Sequence, residues 1–261
     1  MAVMLECKGL EFSFTGKQVI YNIDFNIQKG TFTVILGRNG SGKTTLMNCL
    51  NRILLPGSGN VTILGKNLMS LSTNEIARLI SLVPQEHIDI FPYSVLDVVV
   101  MGRAPFLKIA QKPGDSDYAI AINALKDLNA EYLAPHNFNR ISGGERQIAL
   151  LARALAQTTP VMLLDEPTNH LDFNNQYHLL AAIKHLCRLK KISILASMHD
   201  PNLASVFADD IIMIKNGTIM KKGQTASVMT RENLSTLYNT DTGEIWLNDR
   251  KKMFFPAHIL G

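Results

Sequence analysis

Apolar and polar positions change rhythm along this chain of 261 residues. In the opening third they alternate. LECKGLEFSF and KQVIYNIDFNI predict two half-buried strands, paired antiparallel about a turn near Thr15-Gly16. GTFTVIL is a short apolar run, read as a covered strand, and it leads through the glycine-rich GRNGSGKT into a helix from about Lys43 to Ile53. GNVTILG reads as a further strand. The rhythm then lengthens: STNEIARLI is helical, SLVPQ a strand, and the stretch from Ser94 to about Leu133 mostly helical. Pro105, Pro113 and Gly114 break that stretch into pieces.

Strand–helix alternation resumes in RISGGERQIALLARALAQ, where Ile148, Leu151, Ala152 and Leu155 share one helical face. VMLLD is a covered strand, a helix runs from about Asn174 to Leu189, ISILAS is a strand, and a short helix follows Pro201. DDIIMIKNGTIMKKG predicts a hairpin turned at Asn216-Gly217. The tail carries one more helix near Arg231–Leu237. Strands separated by helices imply an α/β fold around a mainly parallel, covered sheet. To it the pattern adds an N-terminal antiparallel β subdomain and an inserted helical subdomain. The expected divisions are a single domain over 1–240 and a tail over 224–261. Within the domain, core and β subdomain occupy 1–85 and 141–223, and the helical subdomain occupies about 86–140.

Composition narrows the classes. Charged residues make up 18%, below the usual quarter or so, which points to covered surface beyond one core. The net charge is only +4, and Lys190-Lys191, Lys221-Lys222 and Arg250-Lys251-Lys252 are short clusters that read as solvated surface. Nothing in the charge calls for nucleic acid. Cys7, Cys49 and Cys187 are far apart, as expected of buried thiols in a reducing compartment. MAVMLECKGLEF lacks a signal-peptide pattern, and no apolar run approaches the ~18 residues that span a bilayer. A soluble chain in the cytoplasm is the expectation.

Chemistry concentrates at three places. GRNGSGKT satisfies G-x-x-x-x-G-K-[ST] between a strand and a helix, the setting a phosphate loop needs. Its glycines leave backbone N–H groups free to surround a phosphate, Lys43 reaches the β- and γ-phosphates, and the Thr44 hydroxyl binds Mg²⁺. VMLLDEP ends a strand on two carboxylates: Asp165 suits a water-bridged metal, and Glu166 suits a general base for an attacking water. ISGGE is the third. Ser142 and Glu145 fit a capping box, yet the paired glycines Gly143 and Gly144 each cost a helix roughly 1 kcal/mol and invite close approach of an anion. Gln85 and His199 each end a strand. Gln85 can offer its amide to metal or water, and His199 a hydrogen bond to the γ-phosphate. In isolation, a solvent-facing amide and a structural histidine are the better readings, and both residues gain weight only from company.

The ordered set GRNGSGKT, VPQ, ISGGE, VMLLDEP, NHLD and SMHD resembles the nucleotide-binding subunits of ABC transporters, over nearly all of residues 3–240. The SGG element, 23 residues before the metal aspartate (142 to 165), is particular to that family. The resemblance implies a P-loop ATPase using ATP and Mg²⁺. Gly37, Asn39, Gly40, Ser41, Gly42, Lys43, Thr44 and Thr45 would surround the nucleotide, and Phe14 would stack on adenine. Thr44, Gln85 and Asp165 would hold the metal, while Glu166, His199, Gln85 and Lys43 would serve hydrolysis. Two copies would pack head to tail as a homodimer. Ser142, Gly143 and Gly144 of one copy would then reach the ATP bound by the other, and Asp172 would organise that interface. The sequence departs from the family pattern at Phe14, commonly tyrosine, and at Ile141 and Glu145, commonly leucine and glutamine. Glu145 keeps the capping box but brings extra negative charge near the γ-phosphate.

FPYSVLDVVVMGRAPFL is similar to the importers of iron–siderophore, haem, cobalamin and molybdate-type anions. In that group the segment receives a separate membrane permease, which implies docking on the helical subdomain, an indirect partnership with a substrate-binding protein, and a place on the cytoplasmic face of the membrane. Iron chelate is the first expectation for cargo, and molybdate or tungstate the second. A separate-subunit exporter ATPase is the remaining alternative.

Overall fold

The computed structural model describes residues 2–85, 92–108, 110–169, 171–248 and 251–259. Phe91 at the head of the FPYS segment, His170 of NHLD, Arg250 of the last basic cluster and the first residues of the expected helical interruption, 86–91, lie outside them. In chain order the elements begin with β1 (Val3–Phe14), β2 (Lys17–Gln28), β3 (Phe32–Leu36), α1 (Lys43–Leu50), β4 (Ser58–Ile63) and β5 (Lys66–Asn67). They continue with α2 (Thr73–Ala77), β6 (Ile80–Val83), α3 (Val95–Val100), α4 (Asp115–Lys126), α5 (Gly143–Ala156), β7 (Val161–Asp165) and α6 (Phe173–Lys190). The last group is β8 (Ser193–Met198), α7 (Pro201–Phe207), β9 (Asp210–Lys215), β10 (Thr218–Gln224), α8 (Thr225–Val228), α9 (Arg231–Tyr238), β11 (Thr242–Asn248) and β12 (Lys251–Pro256). Two compact units result, one from Met1–Ser70 with Ser193–Gly261, the other from Leu71–Ile192.

In the first unit, β2-β1-β4-β5 form an antiparallel sheet, the β1–β2 pair turning at Thr15-Gly16 as the alternation predicts. A second run is ordered β10-β9-β3-β8. There β3 pairs in parallel with both β8 and β9, and β10 returns antiparallel to β9. Every residue of β3 and β8 is buried, the signature of strands covered on both faces. Each such aliphatic side chain contributes about 1.5–3 kcal/mol. The β9–β10 turn puts Asn216 at φ 50° and Gly217 at φ 76°, the left-handed pair that a two-residue hairpin requires.

In the second unit β6 and β7 pair in parallel, with Val83 opposite Leu164. Helices α2, α3, α5 and α6 start on side-chain caps: capping boxes at Ser72/Glu75, Ser94/Asp97 and Ser142/Glu145, and an aspartate cap at Asp172. The stretch expected to be mostly helical from Ser94 to Leu133 is shorter in α-helix than that, because the chain tightens to a 3₁₀ turn over Met101–Phe106 around Pro105. Strand β6 stops at Val83, so Gln85 stands two residues past the strand end. The tail holds more order than its sequence suggested, since β11 and β12 form an antiparallel hairpin.

Candidate functional site

In the first unit the 37–42 loop leaves the C-terminal end of β3 and enters α1. Register sets its neighbour: Leu36 lies opposite Met198 of β8, so Gly37 and His199 emerge together where adjacent parallel strands end. Ligands of open α/β sheets bind at such an edge. The loop curls around its own lysine. Lys43 is 4% exposed, and its Nζ donates to the carbonyls of Gly37 (3.0 Å) and Arg38 (3.2 Å). Glycine is needed at Gly42, where φ is 101° and a Cβ would stand 2.9 Å from Ile20 Cδ1. At Gly37 a Cβ would meet the Ile214 carbonyl at 2.5 Å.

No side chain caps α1, so its first-turn N–H groups face outward with the positive end of the helix dipole. Ser41 adds a buried hydroxyl with no hydrogen-bond partner. A buried group left unpaired costs about 1–3 kcal/mol, so this one is built for an acceptor from outside the chain. Uncapped N–H groups, a captive ammonium and an orphan hydroxyl together fit a phosphate group. Thr44 is exposed at the loop's end, with Thr45 half-buried beside it, and the Gly217 N–H donates to the Ser41 carbonyl (3.0 Å), bracing the loop from the β9–β10 turn. Phe14, 50% exposed at the end of β1, stands edge-on to Phe12 with ring centres 4.8 Å apart.

In the second unit parallel β6 and β7 present Gln85, Asp165 and Glu166 at their C-terminal ends. Asp165 and Glu166 are 4% and 8% exposed. Glu166 takes φ 47°, a left-handed conformation that costs a residue with a side chain of order 1–3 kcal/mol and is found at functional sites. Its Oε2 accepts from Gln85 Nε2 at 3.2 Å and from Asn169 Nδ2 at 2.5 Å. The Asn169 backbone N–H also donates to the Glu166 carbonyl (3.1 Å), closing a turn that returns the amide to the carboxylate. Sequence reasoning named Gln85 and Glu166 separately and missed Asn169. The available signal was an asparagine three residues past the acid in a Pro-Thr-Asn turn.

At the start of α5, Ser142 Oγ accepts from the Glu145 N–H (3.3 Å), while Glu145 Oε2 accepts from the Ser142 N–H (2.9 Å) and hydroxyl (2.8 Å). The Ser142 backbone N–H, then its hydroxyl, hold the Glu145 carboxyl below its ordinary value. A Cβ at Gly143 would meet nothing within 4 Å, so this helix start is open to approach. Beside it lies a cleft of about 480 Å³, lined by Ser142, Gly144, Glu145, Leu171, Asn175 and His178 among others. Asp172 caps α6 by accepting from both the backbone (2.8 Å) and the side-chain amide (3.0 Å) of Asn175.

The other end of α5 is tied to the 94–106 segment. Gly102 sits so close to α5 that a Cβ would lie 2.2 Å from the Arg153 carbonyl. Arg103 donates to the last-turn carbonyl of Ala156 (3.0 Å), pairs with Asp117 (3.0 Å), and stacks 4.1 Å over Phe106. Val98 and Val99 are fully buried and Val100 nearly so, whereas Met101 is exposed. Of Val98–Met101, Met101 is the residue open to a partner.

Among the described residues no cluster of three or more His, Cys, Asp or Glu side chains could hold a metal alone. Thr44 offers a hydroxyl in the first unit, and Gln85 and Asp165 an amide and a carboxylate in the second. Each is an oxygen donor of the kind that suits Mg²⁺, which keeps several waters and takes substrate phosphates as further ligands. No helix among the described residues is long and apolar enough to cross a membrane.

Comparison with known proteins bears on this geometry. The sequence model of the family described as ABC transporter matches residues 20–169. A protein named probable iron chelatin transport ATP-binding protein, from Helicobacter pylori, is 38% identical over 249 residues, covering 95% of this chain and 98% of the relative. A solved metal-chelate type ABC transporter in an inward-facing conformation superposes with TM-score 0.88 at 31% identity, covering 100% of this chain and 99% of that one. A dimeric ATP-binding cassette in a post-hydrolysis state, bound to ADP and Pi, superposes with TM-score 0.73 at 27% identity, covering 85% and 99%.

Proposed function

The chain belongs to the ABC transporter ATPase family, and from that premise we propose that it is the ATP-hydrolysing subunit of an importer for a metal chelate of the iron–siderophore, haem or cobalamin type. The observation that carries the nucleotide reading is the 37–42 loop, with its captive Lys43 and the partnerless buried hydroxyl of Ser41. Gly37, Asn39, Gly40, Ser41 and Gly42 cradle the β-phosphate with backbone N–H groups, Lys43 neutralises charge between the β- and γ-phosphates, and Phe14 stacks on adenine. Thr45 lines the same loop's exit.

Glu166 takes a proton from the attacking water, whose oxygen forms a bond to the γ-phosphorus while the bond to the β–γ bridging oxygen breaks. ADP and inorganic phosphate leave. Gln85 and Asn169 hold the Glu166 carboxylate by its Oε2 and so fix its direction, and His199 donates to a γ-phosphate oxygen. Mg²⁺, held by Thr44, Asp165 and Gln85, would neutralise charge building on the phosphates. Ser142, Gly143 and Gly144 serve a second copy's nucleotide in a homodimer, with Asp172 organising the contact. The dimeric cassette that this fold superposes on supports that reading.

Import of a metal chelate is supported by the Helicobacter pylori relative's name and by the metal-chelate type structure. The partners are a separate permease docked at Met101 on the helical subdomain, and an external binding protein reached through it, at the cytoplasmic face of the membrane. The test is reconstitution with permease and binding protein. An iron chelate, haem or cobalamin should stimulate ATPase activity several-fold. Stimulation by molybdate alone would overturn the cargo reading and leave the ATPase reading intact.

A further inference from the structure

We propose that the C-terminal segment braces the loop carrying His199, with Tyr238 as its positioning residue. The inference rests on the reading of His199 as a contact to the γ-phosphate.

His199 is the first residue past β8, and Pro201 already begins α7. The position of its imidazole therefore depends on where a short connection sits. That connection is held on two sides by residues far along the chain. The Tyr238 hydroxyl donates to the His199 carbonyl at 2.7 Å. Three residues on, the Asn202 side-chain amide acts as a substitute strand partner for Phe254 of β12: Nδ2 donates to the Phe254 carbonyl (3.0 Å), and Oδ1 accepts its N–H (2.8 Å). Both contacts come from the tail, the part of the sequence without a readable purpose.

The brace is itself anchored. Helix α9, which ends on Tyr238, buries Leu234 and Leu237. At its C-terminal end the Lys215 ammonium of β9 donates to the Thr236 carbonyl (2.5 Å) and Asn239 Oδ1 (2.6 Å), where a positive charge also meets the helix dipole favourably. The Thr242 N–H donates to Ser235 Oγ (3.0 Å), joining β11 to α9. Phe254 is 4% exposed, and the Phe255 ring lies so near Gly243 that a Cβ there would come within 2.4 Å of it.

An open surface pocket of about 370 Å³ lies beside the loop, bounded by His199, Asp200, Leu234, Tyr238, Phe254 and Phe255, among others. With open space rather than packed atoms on that side, hydrogen bonds help to set the loop's position, and the one from Tyr238 falls on the His199 carbonyl. Burial, and then the Asp200 carboxylate, push the Tyr238 phenol above its ordinary value, so it stays a hydroxyl donor at neutral pH.

The experiment compares steady-state ATP hydrolysis by the full chain and by Tyr238→Phe, Asn202→Ala, His199→Ala and the Tyr238→Phe/His199→Ala double variant, with active protein counted by stoichiometric ATP binding. Tyr238→Phe removes one hydroxyl and should lower kcat about three- to tenfold with KM for ATP unchanged. Asn202→Ala should show the same split, and Tyr238→Phe should add nothing to the loss in His199→Ala. Should His199→Ala hydrolyse ATP at the parent rate, the reading of His199 fails and this inference with it. If His199→Ala lowers kcat while Tyr238→Phe and Asn202→Ala turn over at the parent rate, the brace alone is overturned. A change in KM without a change in kcat, or losses that multiply in the double variant, overturns it as well.

Discussion

Gln85 Nε2 donates to Glu166 Oε2 across 3.2 Å, joining residues 81 positions apart at the ends of two parallel strands. The contact follows from register, because Val83 stands opposite Leu164 and the chain needs only two further residues on each side to bring amide and carboxylate together. The same carboxylate oxygen also accepts from Asn169, and Glu166 itself sits in a strained left-handed conformation. A residue held against its backbone preference by two amides is held for its direction.

Asn169→Ala should therefore release one of the amide contacts that hold Glu166, the base proposed above. We expect kcat for ATP hydrolysis to fall about three- to tenfold with KM for ATP little changed, read from steady-state phosphate release. A parent-like kcat would show that Gln85 and the backbone turn suffice to aim the carboxylate.

The capping box at Ser142 makes a prediction about acid. Because Glu145 is held below its ordinary value in the folded chain, its contribution is fully present above the ordinary carboxylate range and is lost as pH falls through the lowered folded value. Glu145→Gln should be less stable than the parent by about 0.3–1 kcal/mol at neutral pH, and the deficit should vanish in acid. Ser142→Ala should cost about 1 kcal/mol through the lost cap. Urea unfolding at the two pH values measures both.

Gly102→Ala tests the tie between α5 and the 94–106 segment. The new methyl would stand 2.2 Å from the Arg153 carbonyl, which backbone cannot yield cheaply. A loss of about 1–3 kcal/mol is expected in chemical unfolding, and a neutral substitution would mean the two segments are not packed so closely.

Docking of the permease is tested by separating exposed from buried positions. Met101→Glu should leave ATP hydrolysis by the isolated chain unchanged and abolish chelate-stimulated hydrolysis in the reconstituted transporter. Val98→Glu, at a fully buried position, should destabilise the chain before any question of partners arises. Stimulation surviving Met101→Glu would move the docking surface elsewhere.

The phosphate loop, the Asp165-Glu166 pair and the Ser142/Glu145 cap were legible in sequence because their chemistry depends on local spacing and on the strand or helix end they occupy. Alternation likewise gave the β1–β2 pair, and the left-handed Asn216-Gly217 turn gave the hairpin. Asn169 was not legible, since its amide acquires a role only once the turn folds it back on Glu166. The buried state of Val98 and Val99 escaped notice because an apolar run reads alike whether it faces a core or a partner. The β11–β12 hairpin was missed for a different reason. Phe254 is secured by the Asn202 side chain, 52 residues away, and such a pairing leaves no local periodicity.

Glu166 is proposed as the base for ATP hydrolysis in a nucleotide-bridged pair of chains. Glu166→Gln keeps a side chain of the same size and removes the proton acceptor, which should cost at least about a hundredfold in turnover. Phosphate release and mass in solution, measured on the same sample with ATP and Mg²⁺, test it most directly. The prediction is release near background with ATP retained in a stable dimer; release at the parent rate from a monomer would contradict it.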